Sequence, residues 1–132
     1  MKDKYIHKEG IVYLNQYHII FCPKYRRKVL TGDIEKDLRQ IFDEVANEKD
    51  VEIKALEIMP DYVHMFISFD PRQPLHKLIK LFKGKSSNIL RDKYTKLKSR
   101  IPSLWTRSYF CCTIGNISEE TIQKYIENQK NM

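Results

Sequence analysis

Apolar residues follow two rhythms along this chain. "QYHIIFC" (16 to 22), "VEIKALEIM" (51 to 59) and "YVHMFISF" (62 to 69) are short runs rich in β-formers, punctuated by Pro23, "MPD" and Pro71, and they read as strands. Alternation in the third run sends Val63, Met65 and Ile67 to one face and Tyr62, His64, Phe66 and Ser68 to the other. The "MPD" link is short enough for a hairpin, which makes the two strands around it antiparallel neighbours. Helical spacing takes over elsewhere. Ile34, Leu38, Ile41, Phe42 and Val45 form one apolar face after Asp33, the expected N-cap. Leu75, Leu78, Ile79, Phe82, Ile89 and Leu90 keep register to about Tyr94, although "KGKSS" interrupts them. A connector then runs to Pro102, and "LWTRSYFCCTIG" (104 to 115) contains a last strand closed by Gly115. Ser118 caps a final helix that runs to the chain's end, with Glu119 and Glu120 in its positive first turn.

The expected order is strand, helix, strand, strand, helix, strand, helix. Its first six elements are the split βαβ pattern of a ferredoxin-like α+β sandwich, with one additional C-terminal helix. The sequence has no linker, repeat or low-complexity tract, so residues 1–132 read as one domain. About the first fifteen residues look loosely attached, and 117–132 form the extra helix. Many functions use this architecture, so the side chains must decide.

Composition narrows the choice. The chain has 132 residues, enough for a core without staples. It carries 24 Lys+Arg against 17 Asp+Glu, a formal net charge of +7, which favours a polyanionic partner. No stretch approaches the roughly 18 apolar residues of a membrane span, and the polar "MKDKYIHKEG" start lacks the apolar middle of a secretory signal. Cys22, Cys111 and Cys112 form neither a disulfide framework nor a zinc spacing. They read as strand residues in a reducing, cytoplasmic setting.

Three constellations carry candidate chemistry. The first is Tyr62 and His64 on one strand face, preceded by Asp61. Packing is the ordinary reading of such a histidine, and a cation ligand the functional one. The second is "KYIENQ", where Tyr125 and Gln129 share a helical face beside the Ile122 and Ile126 stripe. A tyrosine there is usually packing. As a nucleophile it needs a metal or cationic neighbour, because a free phenol is protonated at neutral pH. Gln129 offers a neutral oxygen to a hard cation. The third is basic. "PKYRRK" sets Lys24, Arg26, Arg27 and Lys28 around Tyr25, a mixture suited to phosphates and unpaired bases. "FKGKSS" adds Lys83, Lys85, Ser86 and Ser87 around Gly84, without the glycine spacing of a P-loop. A solvated helix face is the bland alternative.

Together, "YHIIFCPKYRRKVL", "PDYVHMFI", "FKGKSSNIL", "LWTRSYF" and "IQKYIENQ" resemble, in order, the single-tyrosine HUH transposases of small bacterial and archaeal insertion sequences, a superfamily that includes REP-associated tyrosine transposases. The resemblance runs from about residue 16 to 129. It implies dimeric enzymes with a ferredoxin-like core that cut and rejoin single-stranded DNA beside hairpins. Two histidines on a strand and a polar residue of the tyrosine helix hold Mg²⁺ or Mn²⁺, and the tyrosine attacks the backbone phosphate to give a 5′-phosphotyrosine and a free 3′-hydroxyl. Bond energy is conserved, so no nucleotide cofactor is implied. Tyr125 then matches the nucleophile, His64 the second histidine and Gln129 the polar ligand. "PKYRRK" and "FKGKSS" would hold the DNA.

One position departs from the pattern. Where the family reads Asp-His-apolar-His, this chain reads Asp61-Tyr62-Val63-His64. A neutral phenol is a poor ligand for Mg²⁺ or Mn²⁺, so the expected metal site is weakened, with Asp61 or water as partial substitutes. Three explanations stand at this stage: a decayed or domesticated copy that binds without cutting, an engineered inactive variant, or an enzyme with a rearranged metal shell. A hairpin-binding regulator is the competing function class. An RNA-binding module on the same fold is a third, disfavoured because Phe66 and Phe69 fall on opposite strand faces.

Overall fold

The run "QYHIIF" becomes strand β3 (Gln16–Phe21), and its last four residues are all buried, because both faces of this strand are covered. The computed structural model describes residues 4–113 and 115–129. In chain order the remaining elements are β1 (Ile6–Lys8), β2 (Ile11–Tyr13), α1 (Gly32–Lys49), β4 (Glu52–Met59), β5 (Tyr62–Ser68), α2 (Leu75–Lys93), α3 (Thr95–Arg100), β6 (Phe110–Cys112) and α4 (Glu119–Glu127). Four strands form one antiparallel sheet in the order β4-β5-β3-β6. That is the ferredoxin-like arrangement the sequence pattern implied.

Strand alternation divides the sheet's two faces. Ile19 and Phe21 of β3, with Val63, Met65 and Ile67 of β5, enter a main core with Ile34, Leu38, Phe42 and Val45 of α1 and Leu78, Ile79, Phe82 and Leu90 of α2. The opposite face forms a smaller cluster of Ile20, Cys22, Tyr62, Ile122 and Ile126, so α4 lies across it. Ile122 and Ile126 are 3% and 0% exposed, and burying each contributes about 1.5–3 kcal/mol to docking the helix.

Several expectations are corrected. Within the segment expected to be loosely attached, β1 and β2 pair as a hairpin with Ile6 opposite Tyr13, turned at Gly10 with φ +79°. Lys8 pairs with Asp50 at 3.1 Å and holds the hairpin to the end of α1. The N-cap position of α1 is Thr31 rather than Asp33, without a capping bond from its side chain, and Asp33 sits in the first turn. Helix α2 runs unbroken through "KGKSS", as the register to about Tyr94 implied. The connector contains α3, anchored by buried Leu97. The last strand is three residues long, and Leu104 and Trp105 before it enter the main core, Trp105 edge-on to Phe21 with ring centroids 4.8 Å apart. Ser118 caps α4 as expected, accepting from the Thr121 amide at 3.1 Å. The helix ends at Glu127, and 130–132 lie outside the described residues.

Candidate active site

The α4-covered sheet face carries the polar groups that the strand alternation singled out. Register places Ile20 opposite His64 and His18 opposite Phe66, so His18, Ile20, Tyr62, His64 and Phe66 share this face. His18 stacks on Phe66, with centroids 4.2 Å apart and planes 13° from parallel. Its Nδ1 lies 2.9 Å from His64 Nε2, and its Nε2 lies 3.2 Å from the Gly115 carbonyl oxygen. A carbonyl only accepts, so that contact places the His18 proton on Nε2 and leaves the Nδ1 lone pair facing His64. Burial, and then His18, hold His64 below the ordinary imidazole range, which keeps it neutral near pH 7.

His18 was not anticipated. Its signal was present, an even-position histidine in a strand run, but it needed the β3–β5 register to meet His64.

Tyr62 is turned elsewhere. Its hydroxyl donates to Glu57 Oε1 at 3.1 Å. Burial, with Glu57 adding to it, raises the phenol well above its ordinary value, so Tyr62 is a neutral group packed under α4 and no substitute for an imidazole. Asp61 is spent as well: its Oδ2 accepts from Arg26 Nε at 2.8 Å. Gln129 is 4% exposed and its Oε1 has no hydrogen-bond partner. An orphaned buried amide oxygen costs free energy and suits a hard cation. Among the described residues no three His, Cys, Asp or Glu side chains gather as a metal cluster. The donors that fit Mg²⁺ or Mn²⁺ are therefore imidazole nitrogen on the sheet and the Gln129 oxygen. Tyr62 and Asp61 do not fit.

Tyr125 is half-buried on α4. Its hydroxyl is 2.9 Å from Ser108 Oγ, and its ring lies 5.9 Å from that of Phe110 on the edge strand β6. Burial raises its pKa to about 12, with the Ser108 bond opposing. The phenol is thus protonated at neutral pH in this arrangement. Phe110 pairs with Ile20, which pairs with His64, so the strand residue that Tyr125 meets lies one strand from His18 and two from His64.

The basic segment forms a short 3-10 turn, Lys24–Arg26. Tyr25 and Arg26 both have positive φ, 58° and 52°, a strained backbone for L residues that costs on the order of 1–3 kcal/mol each. The Lys24 amide donates to the Leu104 carbonyl at 2.8 Å, and Lys24 Nζ sits 5.2 Å over the exposed Tyr25 ring. Arg27 and Lys28 are exposed beside it. The second basic segment does less than its sequence suggested. Ser86 is fully buried and bonds the Phe82 carbonyl at 2.7 Å while accepting from the Trp105 indole at 2.9 Å, so the phosphate contact expected of it is not open. Lys83 is turned inward and donates to the Thr106 and Ser108 carbonyls at 2.7 and 3.2 Å. Lys85 pairs with Glu48 at 2.8 Å on the surface, and Ser87 is partly exposed.

Comparison with known proteins bears on the family and the fold. The family model described as "Transposase IS200 like" matches residues 11–129. The ISDra2 transposase TnpA of Deinococcus radiodurans is 37% identical over 122 residues, covering 91% of this chain and 87% of that protein. The transposase for insertion sequence element IS200 of Salmonella typhimurium is 33% identical over 116 residues, covering 86% and 76%. Among solved structures, a Deinococcus radiodurans protein assigned as a transposase superposes with a TM-score of 0.87 at 34% identity, over 94% of this chain and 97% of that one. A REP-associated tyrosine transposase bound to a REP hairpin shares the fold, with a TM-score of 0.58 at 13% identity over 93% and 70%. With nearly the whole of its sheet and α4 inside the matched span, this chain belongs to the IS200-like transposase family.

Proposed function

We propose that this transposase cuts and rejoins single-stranded DNA beside a hairpin, with Tyr125 as the nucleophile. The observation that carries the reading is the placement of Tyr125, on a helix docked over the sheet face that holds His18 and His64. In the step itself the Tyr125 oxygen bonds to the scissile phosphorus as the bond from phosphorus to the 3′ oxygen breaks. The phenolic proton leaves to solvent, and the freed 3′ oxygen takes one up. Reversal with a different 3′-hydroxyl rejoins the strand, so no nucleotide is consumed. A bound Mg²⁺ or Mn²⁺, held by His64 and the Gln129 oxygen, would polarise the scissile phosphate. Because Tyr125 is protonated here, its deprotonation accompanies attack.

The Lys24–Lys28 segment, with Tyr25, Arg27 and Lys28 exposed and Arg26 paired to Asp61, is our candidate for the phosphate and base contacts, with Tyr25 as a stacking platform. A protein of the same fold was captured on a REP hairpin, and a hairpin with flanking single strand is the substrate class we propose here. We also propose a homodimer in solution. A light-scattering mass near the 15.9 kDa of one chain, at tens of micromolar, would count against it.

One observation favours a second reading: Tyr62, occupied by Glu57, stands where an imidazole is expected. A regulator that binds hairpins without cutting would tolerate this. The deciding experiment incubates the chain with labelled hairpin DNA and Mn²⁺ and looks for a denaturation-resistant adduct. An adduct lost on Tyr125→Phe establishes the nucleophile, whereas tight binding without adduct transfers the function to the regulator class.

A further inference from the structure

We propose that His18 is the second imidazole of the cation site, taking the place that Tyr62 leaves unfilled. The inference rests on the transposase reading above and adds a ligand drawn from a different strand.

Four observations converge. His18 Nδ1 and His64 Nε2 are 2.9 Å apart. Two neighbouring ligands of an octahedral ion with bonds of about 2.1 Å stand about 3.0 Å apart, so this spacing also suits one cation bonded to both nitrogens, to one side of the line that joins them. The His18 proton is held on Nε2 by the Gly115 carbonyl oxygen at 3.2 Å. Metal-binding imidazoles are commonly oriented this way, through a carbonyl on the far nitrogen. The ring is also fixed: it stacks on Phe66 and is only 6% exposed. Finally, the Tyr62 phenol is spent on Glu57 at 3.1 Å and offers the pair no ligand atom.

The competing account is a hydrogen-bonded histidine dyad, with His64 Nε2–H donating to His18 Nδ1 and no cation role for His18. The two accounts differ in what His18 does when Mn²⁺ binds. In the cation site its Nδ1 is a ligand. In the dyad only His64 can bind, and binding breaks the dyad.

The test uses the full chain without DNA. Mn²⁺ is titrated in, free ion is followed by electron paramagnetic resonance, and bound imidazole nitrogens are counted by pulsed methods. We expect two coupled nitrogens in the unmodified chain and one in His18→Ala and in His64→Ala, with affinity down roughly tenfold or more in each. His18→Asn is the alternative should the alanine variant fail to fold. Tyr62→His on the His18→Ala background should restore two nitrogens. A single nitrogen in the unmodified chain overturns the proposal, as does unchanged Mn²⁺ affinity in His18→Ala. So does a complete absence of Mn²⁺ binding. The DNA adduct assay is independent of these readouts. Two bound nitrogens without any Tyr125 adduct would sink the nucleophile and leave His18 standing, and the reverse pattern would do the opposite.

Discussion

The Tyr62 phenol donates to Glu57 Oε1 at 3.1 Å, which ties β5 to the edge strand β4 at the position where the family resemblance places a histidine. That bond predicts what substitutions at 62 do. Tyr62→Phe removes one hydrogen bond, costs about 1 kcal/mol of stability, and leaves Mn²⁺ affinity within about twofold. Tyr62→His adds an imidazole beside His64 and raises Mn²⁺ affinity about tenfold or more. Calorimetric titration checks both. Loss of metal binding in Tyr62→Phe would mean the phenol is a ligand after all.

Tyr125 and Ser108 share one hydrogen bond of 2.9 Å, and burial raises the phenol to about 12. A raised phenol leaves stability intact below pH 10 and erodes it as pH climbs toward 12, because the folded state resists the ionised form that the unfolded chain accepts. Tyr62, also raised by burial, adds to the same loss. Denaturant melts from pH 9 to 12 should therefore fall steeply for the unmodified chain and less steeply for Tyr125→Phe. The same variant should form no DNA adduct while binding hairpin DNA as before. Equal alkaline slopes would show that Tyr125 is open to solvent.

Exposed and buried members of the two basic segments should part company. Arg27→Ala and Lys28→Ala each remove an exposed charge, and each should lower the salt slope of DNA binding by about one. Ser86→Ala should leave that slope alone, because Ser86 is fully buried. Its cost is to folding: the Trp105 indole loses its acceptor at 2.9 Å, worth about 1–3 kcal/mol. Fluorescence anisotropy at several salt concentrations, beside thermal melts, separates the two. A Ser86→Ala protein that folds normally and binds DNA with a lower slope would reverse this assignment.

Much of the fold was legible because its signals are local. Alternation in 62–69 separated Val63, Met65 and Ile67 from Tyr62, His64 and Phe66 before any contact was known, and both clusters follow that division. The stripe of Ile122 and Ile126 likewise announced a docked helix. What was missed depends on pairing across distance. His18 gains meaning only when β3 is registered against β5, and Ser108 only when the loop before β6 is laid beside α4. Ser86 was misread for a related reason. A serine after Gly84 looks like a phosphate contact in isolation, yet helical phase turns it onto Phe82 and Trp105. The N-terminal hairpin hid behind polar composition, since three-residue strands leave too short an alternation to detect.

Lys83 supports the loop that carries Ser108, and two forces on its ammonium compete. Burial lowers its pKa to about 8, while the Thr106 and Ser108 carbonyls, at 2.7 and 3.2 Å, favour the charged form. If desolvation prevails, the folded chain loses this proton near pH 8 while the unfolded chain holds it to about 10.5. Between those values the unfolded state binds more protons, so stability rises with pH. The unmodified chain should then gain stability relative to Lys83→Met between pH 7 and 9.5, a window closed before the tyrosines titrate. Urea melts at the two pH values measure the difference. Parallel curves would mean the carbonyls hold the ammonium charged, and Lys83 would then be a fixed cation about one side chain from the Tyr125–Ser108 pair. In either case Lys83→Met leaves the two carbonyls without their donor. The freed loop should expose the Thr106 amide, which donates to the Cys22 carbonyl at 3.0 Å, to faster hydrogen exchange.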